Sequence, residues 1–126
     1  MGVVLGKRVL LIEDELNILE ALRFILHRAG FTVGTHSDGA TALEAIRKKT
    51  PDVVILDVML PNRSGFDILR DLRSHENTRL LPVLMLTARG QKKDREMAES
   101  FGASRFMSKP FANSEVLDAV RQLTTS

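Results

Sequence analysis

One short apolar segment restricts the fold of this chain more than any other. Residues 53–56 are four consecutive branched aliphatic residues, and Pro51 and Pro61 lie on either side of them. This pattern is typical of a strand that is buried on both faces, as strands of parallel sheets are. Parallel sheets bind their ligands at the carboxyl ends of the strands. Asp57 ends this strand and is therefore a candidate functional residue, although an aspartate here can also simply open a turn.

Strands and helices are predicted to alternate along the whole chain. Four more apolar segments are predicted strands, at residues 8–12, 31–35, 82–86 and 105–107. Apolar residues at helical spacing follow each strand, at about residues 15–29, 39–50, 65–74, 91–101 and 114–123. Five such units with right-handed crossovers predict an α/β fold, with helices on both faces of a parallel sheet.

Capping residues are predicted at the ends of the first two helices. Asp14 is predicted to cap the first helix, and Gly30 to follow its last turn. The second strand is followed by Ser37 and Asp38, and capping of the next helix explains these polar residues.

Composition excludes several classes of protein. We expect one domain over residues 1–126, with its core at about 8–123. The sequence has no stretch long enough for a membrane span and no signal-peptide pattern. It has no cysteine, which excludes disulfides and thiolate metal sites and agrees with a cytoplasmic location. The net charge of +2 is too small to indicate direct binding of nucleic acid.

Reactive polar side chains follow four of the five predicted strands. Glu13 and Asp14 follow the first strand, Asp57 the third, Thr87 the fourth and Lys109 the fifth. Parallel strands end at the same edge of a sheet, so these side chains are expected to lie close together. Clustered carboxylates repel one another unless a cation offsets their charge. All the candidate ligand atoms are oxygens, which favours Mg²⁺, or Mn²⁺, over zinc.

The same residues suit phosphoryl chemistry. A magnesium ion held by few carboxylates keeps positions for phosphate oxygens. Lys109 would add a positive charge to bind the phosphoryl group, and the Thr87 hydroxyl could donate to another of its oxygens. Asp57, in line behind that group, could act as the nucleophile and form an aspartyl phosphate.

Four segments together closely resemble the receiver domain of bacterial two-component response regulators. They are residues 9–15, 51–61, 86–88 and 106–111, and the likeness extends over about 8–123. The resemblance implies a flavodoxin-like fold, doubly wound, with strand order 2-1-3-4-5 and five helices. It also implies that Asp57 accepts a phosphoryl group from the phosphohistidine of a sensor histidine kinase or phosphotransfer protein. The domain would then switch conformation and control an unidentified protein partner, without turnover of a separate substrate.

The resemblance also assigns roles around the acceptor. Asp14, Asp57 and the backbone carbonyl of Met59 would ligate Mg²⁺, with Glu13 helping directly or through water. Lys109 would contact the phosphoryl oxygens.

Further roles implied by the resemblance concern the switch. The peptide bond between Lys109 and Pro110 would be cis. Thr87 would move to the phosphate, next to the small residue Ala88, and Phe106 would then turn inward.

Two departures from the family pattern concern output. Phe106 stands where tyrosine is common, and Ser104 and Arg105 replace an acidic pair that is frequent in members that dimerise on DNA. In those members charged pairs join the fourth helix, fifth strand and fifth helix of two subunits. Here the fourth helix and its approach carry four basic residues, which are Arg89, Lys92, Lys93 and Arg95. We expect basic residues to face basic residues, so that this symmetric dimer is disfavoured.

Two other classes of protein remain as alternatives. An aspartate-nucleophile, Mg²⁺-dependent phosphatase would need a second acid two residues after Asp57, where the chain has Met59. A flavodoxin-like cofactor-binding protein would need a phosphate-binding loop after the first strand, and residues 13–15 are all acidic and would repel phosphate.

Overall fold

Five parallel strands alternate with five α-helices in the part of the chain that the computed structural model describes, residues 6–88 and 92–125. The elements are β1 (Arg8–Ile12), α1 (Leu16–Arg28), β2 (Thr32–His36), a 3-10 turn (Gly39–Thr41), α2 (Ala42–Lys49), β3 (Val53–Asp57), α3 (Gly65–Ser74), β4 (Val83–Thr87), α4 (Lys92–Ser100), β5 (Arg105–Ser108) and α5 (Asn113–Thr124). Their sequence confirms the predicted alternation.

The sheet has the strand order β2-β1-β3-β4-β5, and every neighbouring pair is parallel. The predicted fold, doubly wound and flavodoxin-like, is therefore confirmed. β3 and β4 lie inside the sheet, and all five residues of each strand are buried. Of these ten residues only Asp57 and Thr87 are polar, and both end their strands.

Alternate residues of the inner strands pack into two separate apolar cores. Leu10 and Val54 face the core beneath α2, α3 and α4. Val9 and Val53, on the opposite face, pack with the apolar sides of α1 and α5. Each fully buried aliphatic side chain contributes about 1.5–3 kcal/mol relative to exposure. These two cores fix the sheet, and with it the positions of the strand ends.

The residues at the ends of α1 differ in part from the prediction. α1 begins at Leu16, and its N-cap residue is Glu15, whose side chain makes no capping hydrogen bond. The prediction that Asp14 caps this helix is therefore wrong. Gly30 follows the C-cap residue Ala29 with φ +104°, a left-handed conformation that glycine adopts without strain, as predicted.

No helix among residues 6–88 and 92–125 is both long enough and apolar enough to cross a membrane.

Candidate functional site

The register of the sheet brings the predicted polar residues to one edge. Ile12 is level with Leu56, and Asp57 is level with Leu86. The residues that follow these positions therefore meet where the strands end. Carboxylate oxygens of Glu13, Asp14 and Asp57 all lie within 4.8 Å of one another, which confirms the predicted acidic cluster.

Asp57 is the buried centre of this cluster, with 1% of its surface exposed. Its Oδ1 accepts a hydrogen bond from the backbone N–H of Met59 at 3.3 Å, and its Oδ2 lies 3.5 Å from Lys109 Nζ. Burial, and then the negative charge of Glu13, raise the pKa of Asp57 to about 7, although the Lys109 cation and the Met59 N–H oppose this shift. Without a further cation, this carboxyl group therefore keeps its proton to a much higher pH than an ordinary aspartate.

Glu13 is also fully buried. Its Oε2 accepts the backbone N–H groups of Asp14 and Glu15, each at 3.1 Å, and so fixes the chain at the start of α1. Its Oε1 lies 3.0 Å from Lys109 Nζ but has no hydrogen-bonding partner of good geometry among the described residues. A buried carboxylate oxygen that lacks such a partner has a lone pair available for a cation or a water molecule.

Lys109 lies among three carboxylates, with 12% of its side chain exposed. Its Nζ is 3.0 Å from Glu13 Oε1, 3.2 Å from Glu15 Oε1 and 3.5 Å from Asp57 Oδ2. Burial alone would lower the pKa of Lys109, but the neighbouring carboxylates of Glu13, Asp57 and Glu15 outweigh it and raise the pKa. The ammonium group therefore stays charged at neutral pH. The peptide bond between Lys109 and Pro110 is cis, as predicted.

Thr87 lies at the same edge, and Phe106 lies on the neighbouring strand β5, two residues before the position level with Thr87. Thr87 is the last residue of β4 and is fully buried, and its backbone carbonyl accepts the N–H of Lys109. Phe106, in β5, is half-buried, and the guanidinium carbon of Arg95 lies 5.6 Å from the centre of its ring. The side chain of Met59 is 54% exposed, so no core packing restricts which side chain occupies that position.

Sequence reasoning did not identify two features of this edge. Glu15 forms an ion pair with Lys109, although the two residues are far apart in sequence. The position of Glu15 in the acidic segment 13–15 is the one sequence feature that could have indicated this contact. Asp38 and Asn62 join the loop after Asp57 to the end of β2, because Asn62 Nδ2 donates to Asp38 Oδ1 at 2.9 Å. The predicted capping role of Asp38 is confirmed, because its Oδ1 also accepts the N–H of Ala40 at 2.9 Å.

The fold and the acidic edge define a doubly wound α/β protein with a polar site at the carboxyl ends of its strands. Residues 9–121 match the family model of the response regulator receiver domain. The chain therefore belongs to the response regulator receiver domain family of two-component signalling, and it is not a metabolic enzyme of the usual kind.

Known proteins show the same relationship in sequence and in structure. The transcriptional regulatory protein CreB of Escherichia coli K12 is 43% identical over 115 residues, which are 91% of this chain and 49% of CreB. A Chloroflexus aurantiacus structure described as a response regulator superposes with a TM-score of 0.89 at 33% identity, covering 94% of this chain and 98% of that one.

A third similar structure contains a metal. The receiver domain of the Pseudomonas aeruginosa sensor histidine kinase PA1611, solved with a magnesium ion in its active site cleft, superposes with a TM-score of 0.81 at 28% identity. The match covers 94% of this chain and 98% of that one. This chain spans about half the length of the curated relatives that it matches.

Proposed function

We propose that Asp57 is the phosphoacceptor of this receiver domain, and that residues 8–123 form the single unit that carries out the transfer. The observation that carries the proposal is the setting of Asp57. Its carboxylate is buried at a strand end, with the Lys109 ammonium group 3.5 Å away and two further carboxylates beside it. Families retain such repulsive clusters where a cation or a shifted pKa is used in chemistry.

The residues present fit a divalent cation of the magnesium type. Asp14, Asp57 and the Met59 backbone carbonyl would hold it, with Glu13 contributing directly or through water. Every donor is oxygen, and the Glu13 Oε1 atom is buried without a hydrogen-bonding partner of good geometry among the described residues. Mn²⁺ is the alternative ion of the same chemistry. When bound, the ion would neutralise negative charge on the phosphoryl oxygens and on the carboxylates.

The protein residues would then perform the transfer. A carboxylate oxygen of Asp57 attacks phosphorus, the bond from phosphorus to the donor breaks, and the donor leaves with the bonding electron pair. The product is an aspartyl phosphate. Lys109 stays protonated and binds a phosphoryl oxygen, which the three carboxylates around Nζ make possible by raising its pKa. Thr87 would donate its hydroxyl proton in a hydrogen bond to another of these oxygens.

The readout of phosphorylation is proposed to use Thr87 and Phe106. Movement of the Thr87 hydroxyl to the phosphoryl group would vacate space on β4, and Phe106 on the neighbouring strand would turn inward. Met85 and Phe106 are level in the β4–β5 register, so the ring lies two residues before Ser108, which is level with Thr87.

The proposed partners follow from the family. A sensor histidine kinase or phosphotransfer protein would supply the phosphoryl group in the cytoplasm, and an unidentified protein would bind the switched form. Hydrolysis of the aspartyl phosphate by the domain itself would end the signal. No observation favours the phosphatase alternative, since Met59 occupies the place of the second acid.

A labelling experiment tests the proposal. The protein is incubated with acetyl phosphate, with Mg²⁺ or with EDTA, and its intact mass is measured. We expect one added phosphoryl group with Mg²⁺ and very little with EDTA. Asp57→Asn should abolish the added mass because the nucleophile is lost, and Lys109→Ala should reduce it by at least about tenfold.

A matched control is Asp52→Asn, which changes an exposed aspartate at the opposite edge of the sheet. This variant should be labelled like the parent. Phosphoryl mass that persists in Asp57→Asn would show that another residue is the nucleophile, and the proposed function would be wrong.

A further inference from the structure

The loop between β3 and α3 lies directly beside the acceptor. Its first residues are Val58 and Met59, and the Met59 N–H is bonded to Asp57 Oδ1. The loop is on the surface, because Met59, Pro61 and Asn62 are all exposed. Surface loops of this length move unless other contacts fix them, and a mobile Met59 carbonyl would be a poor metal ligand.

The base of the loop is closed by its own chain. The N–H of Gly65 donates to the carbonyl of Val58 at 2.9 Å. A β-carbon at Gly65 would clash with the carbonyl oxygen of Asp57 and would lie 2.9 Å from Val58 Cα, so only glycine allows this approach. This contact fixes the loop at residues 58 and 65, but it does not fix Met59 and Leu60, which lie between them.

The tip of the loop is held by a different segment, at the end of the edge strand β2. The N–H of Gly39 donates to the Pro61 carbonyl at 3.0 Å, and Asn62 Nδ2 donates to Asp38 Oδ1 at 2.9 Å. A β-carbon at Gly39 would lie 2.8 Å from the Pro61 carbonyl oxygen and would clash with that of Arg63. We call these four residues, Asp38, Gly39, Pro61 and Asn62, the loop clamp.

Two further observations show that the clamp is a built contact. Asn62 has φ +70°, a left-handed conformation that costs energy and that asparagine tolerates better than most residues. The hydrogen bond from Asn62, followed by that from the Ala40 N–H, lowers the pKa of Asp38, so the carboxylate acceptor is ionised at neutral pH. Met59 and Leu60 therefore lie between two fixed points, the base at Gly65 and the clamp.

We propose that Asp38 and Asn62 are positioning residues for the metal site, and that the loop clamp holds the Met59 carbonyl and the Asp57 carboxylate in the arrangement that binds a divalent cation. This inference rests on the proposed function and deepens it. Groups that orient metal ligands without touching the metal typically change affinity by 10–100-fold when they are lost. The clamp acts on Met59 through the intervening residue Leu60, and its loss should weaken Mg²⁺ binding by about 3- to 10-fold.

Calorimetric titration of the intact chain with Mg²⁺ tests the inference. Asn62→Gly removes the amide group but keeps a residue that adopts positive φ. Asp38→Ser keeps a capping oxygen for the Ala40 N–H, but its side chain is too short to reach Asn62. Both single variants should bind Mg²⁺ about 3- to 10-fold more weakly than the parent. The double variant should bind Mg²⁺ no more weakly than the weaker-binding single variant, because the two single variants and the double variant all lack the same hydrogen bond between residues 38 and 62.

The conservative variant Asp38→Asn separates this hydrogen bond from charge. It removes the same negative charge as Asp38→Ser but retains an oxygen that accepts both N–H groups. It should therefore restore much of the affinity that Asp38→Ser loses. Thermal unfolding of the metal-free proteins, followed by circular dichroism, provides the second readout, since a role in local stability alone would lower the melting temperature and leave the Mg²⁺ affinity unchanged.

Two outcomes would overturn the inference, and a third would contradict the proposed function. Unchanged Mg²⁺ affinity in Asn62→Gly and Asp38→Ser would overturn the clamp, whatever happens to the melting temperature. Equal losses in Asp38→Ser and Asp38→Asn would assign the effect to charge and would also overturn it. A parent protein that takes up no Mg²⁺ would instead contradict the proposed function itself, which distinguishes that failure from failure of the clamp.

Discussion

The carboxyl group of Asp57 is subject to opposing influences from its neighbours. Burial and the charge of Glu13 favour the protonated form, whereas the Lys109 cation favours the ionised form that can attack phosphorus. Burial and the Glu13 charge together outweigh the Lys109 cation when no metal is bound, and the pKa of Asp57 is then about 7. A divalent cation among the three carboxylates would compete with this proton. Metal binding and activation of the nucleophile would thus be one event at this residue.

The raised pKa predicts how stability changes with pH. An unfolded chain has Asp57 at its ordinary pKa of 3.8, so between pH 3.8 and about 7 the folded protein binds a proton that the unfolded chain does not. The contribution of Asp57 to the free energy of unfolding therefore falls as the pH rises through this window, and the full penalty remains above it. Asp57→Asn removes the penalty, so in EDTA at pH 8 it should be more stable than the parent by about 1–3 kcal/mol.

Urea unfolding followed by circular dichroism at pH 5, 6.5 and 8 measures this difference. The gain from Asp57→Asn should shrink as the pH falls toward 5, and Asp52→Asn, on the surface of the opposite edge, should show no such trend. A gain that is the same at all three pH values would mean that Asp57 does not titrate in this range.

Sequence reasoning found those site residues whose positions depend on strand direction. The direction of parallel strands alone brings Glu13, Asp14 and Asp57 to one edge, since Asp57 ends β3 and the other two are the first residues after β1. Side-chain contacts across loops were not predictable in this way. The approach of Glu15 to Lys109 depends on side-chain conformation and on where α1 begins, and the link from Asp38 to Asn62 depends on the path of two loops.

At the level of elements, α3 shows how one helix is tied at both ends. Ser64 caps its N-terminus, with Oγ accepting the N–H of Phe66 at 3.1 Å. At the other end, the buried hydroxyl of Thr78 donates to the carbonyl of Leu72 at 2.6 Å. The last four carbonyls of a helix have no partner within it, so this side chain satisfies one of them away from water. The loop that leads to β4 is thereby fixed to the helix.

Thr78→Val tests that tie. Valine keeps the shape of the side chain, but the Leu72 carbonyl would be left buried without this donor, which should lower the free energy of unfolding by about 1–3 kcal/mol. Thr125→Val is the matched control, because Thr125 makes a similar bond to the carbonyl of Arg121 at 2.9 Å on the exposed end of α5. That change should cost less than about 0.5 kcal/mol. Equal losses in urea unfolding would show that burial of the Thr78 bond is unimportant.

The bounds of the strands were predictable to within about one residue, and the shifts have physical causes. β2 begins at Thr32 and not at residue 31, because the N–H of Phe31 bonds to the carbonyl of Leu26 and its ring is buried under α1. β4 begins at Val83, since Pro82 has no N–H to donate to a sheet. The hydrophobic pattern indicates which segments are strands. It does not show that the residue before a strand, such as Phe31, is bonded to the preceding helix and so lies outside the strand.

On the scale of the whole molecule, the surface formed by α4, β5 and α5 carries the departures noted in the sequence. Arg105 is exposed and bonds to Gln122 at 2.6 Å, with no carboxylate partner within the described ranges. Lys92, Lys93 and Arg95 on α4 are also exposed, while Arg89 lies outside the described residues. The basic side chains expected on this surface are thus exposed where the structure describes them, and Glu96 and Glu99 of α4 are exposed beside them.

This surface predicts the oligomeric state after activation. In a symmetric dimer, Arg105 would face basic residues of α4 in the other subunit, and like charges repel. Dimerising family members have an acidic pair at positions 104 and 105, and this chain has Ser104 and Arg105 there. We expect multi-angle light scattering to give the mass of a monomer both without and with the phosphoryl mimic beryllofluoride. A tight dimer that forms only with the mimic, and that Arg105→Glu abolishes, would contradict this expectation.

The position of β1 inside the sheet, between β2 and β3, has a consequence for biosynthesis. β1 leaves the ribosome before the other four described strands, yet it lies between β2 and β3, and Val9 pairs with Val53 far along the chain. Until β3 has emerged, the apolar side chains of β1 have a neighbour on one side only. Contacts so distant in sequence form slowly, because closing the long loop between the two strands costs entropy before the contacts can stabilise the chain. β3, which ends in Asp57, is therefore also the segment on which the nascent chain depends to bury its first strand.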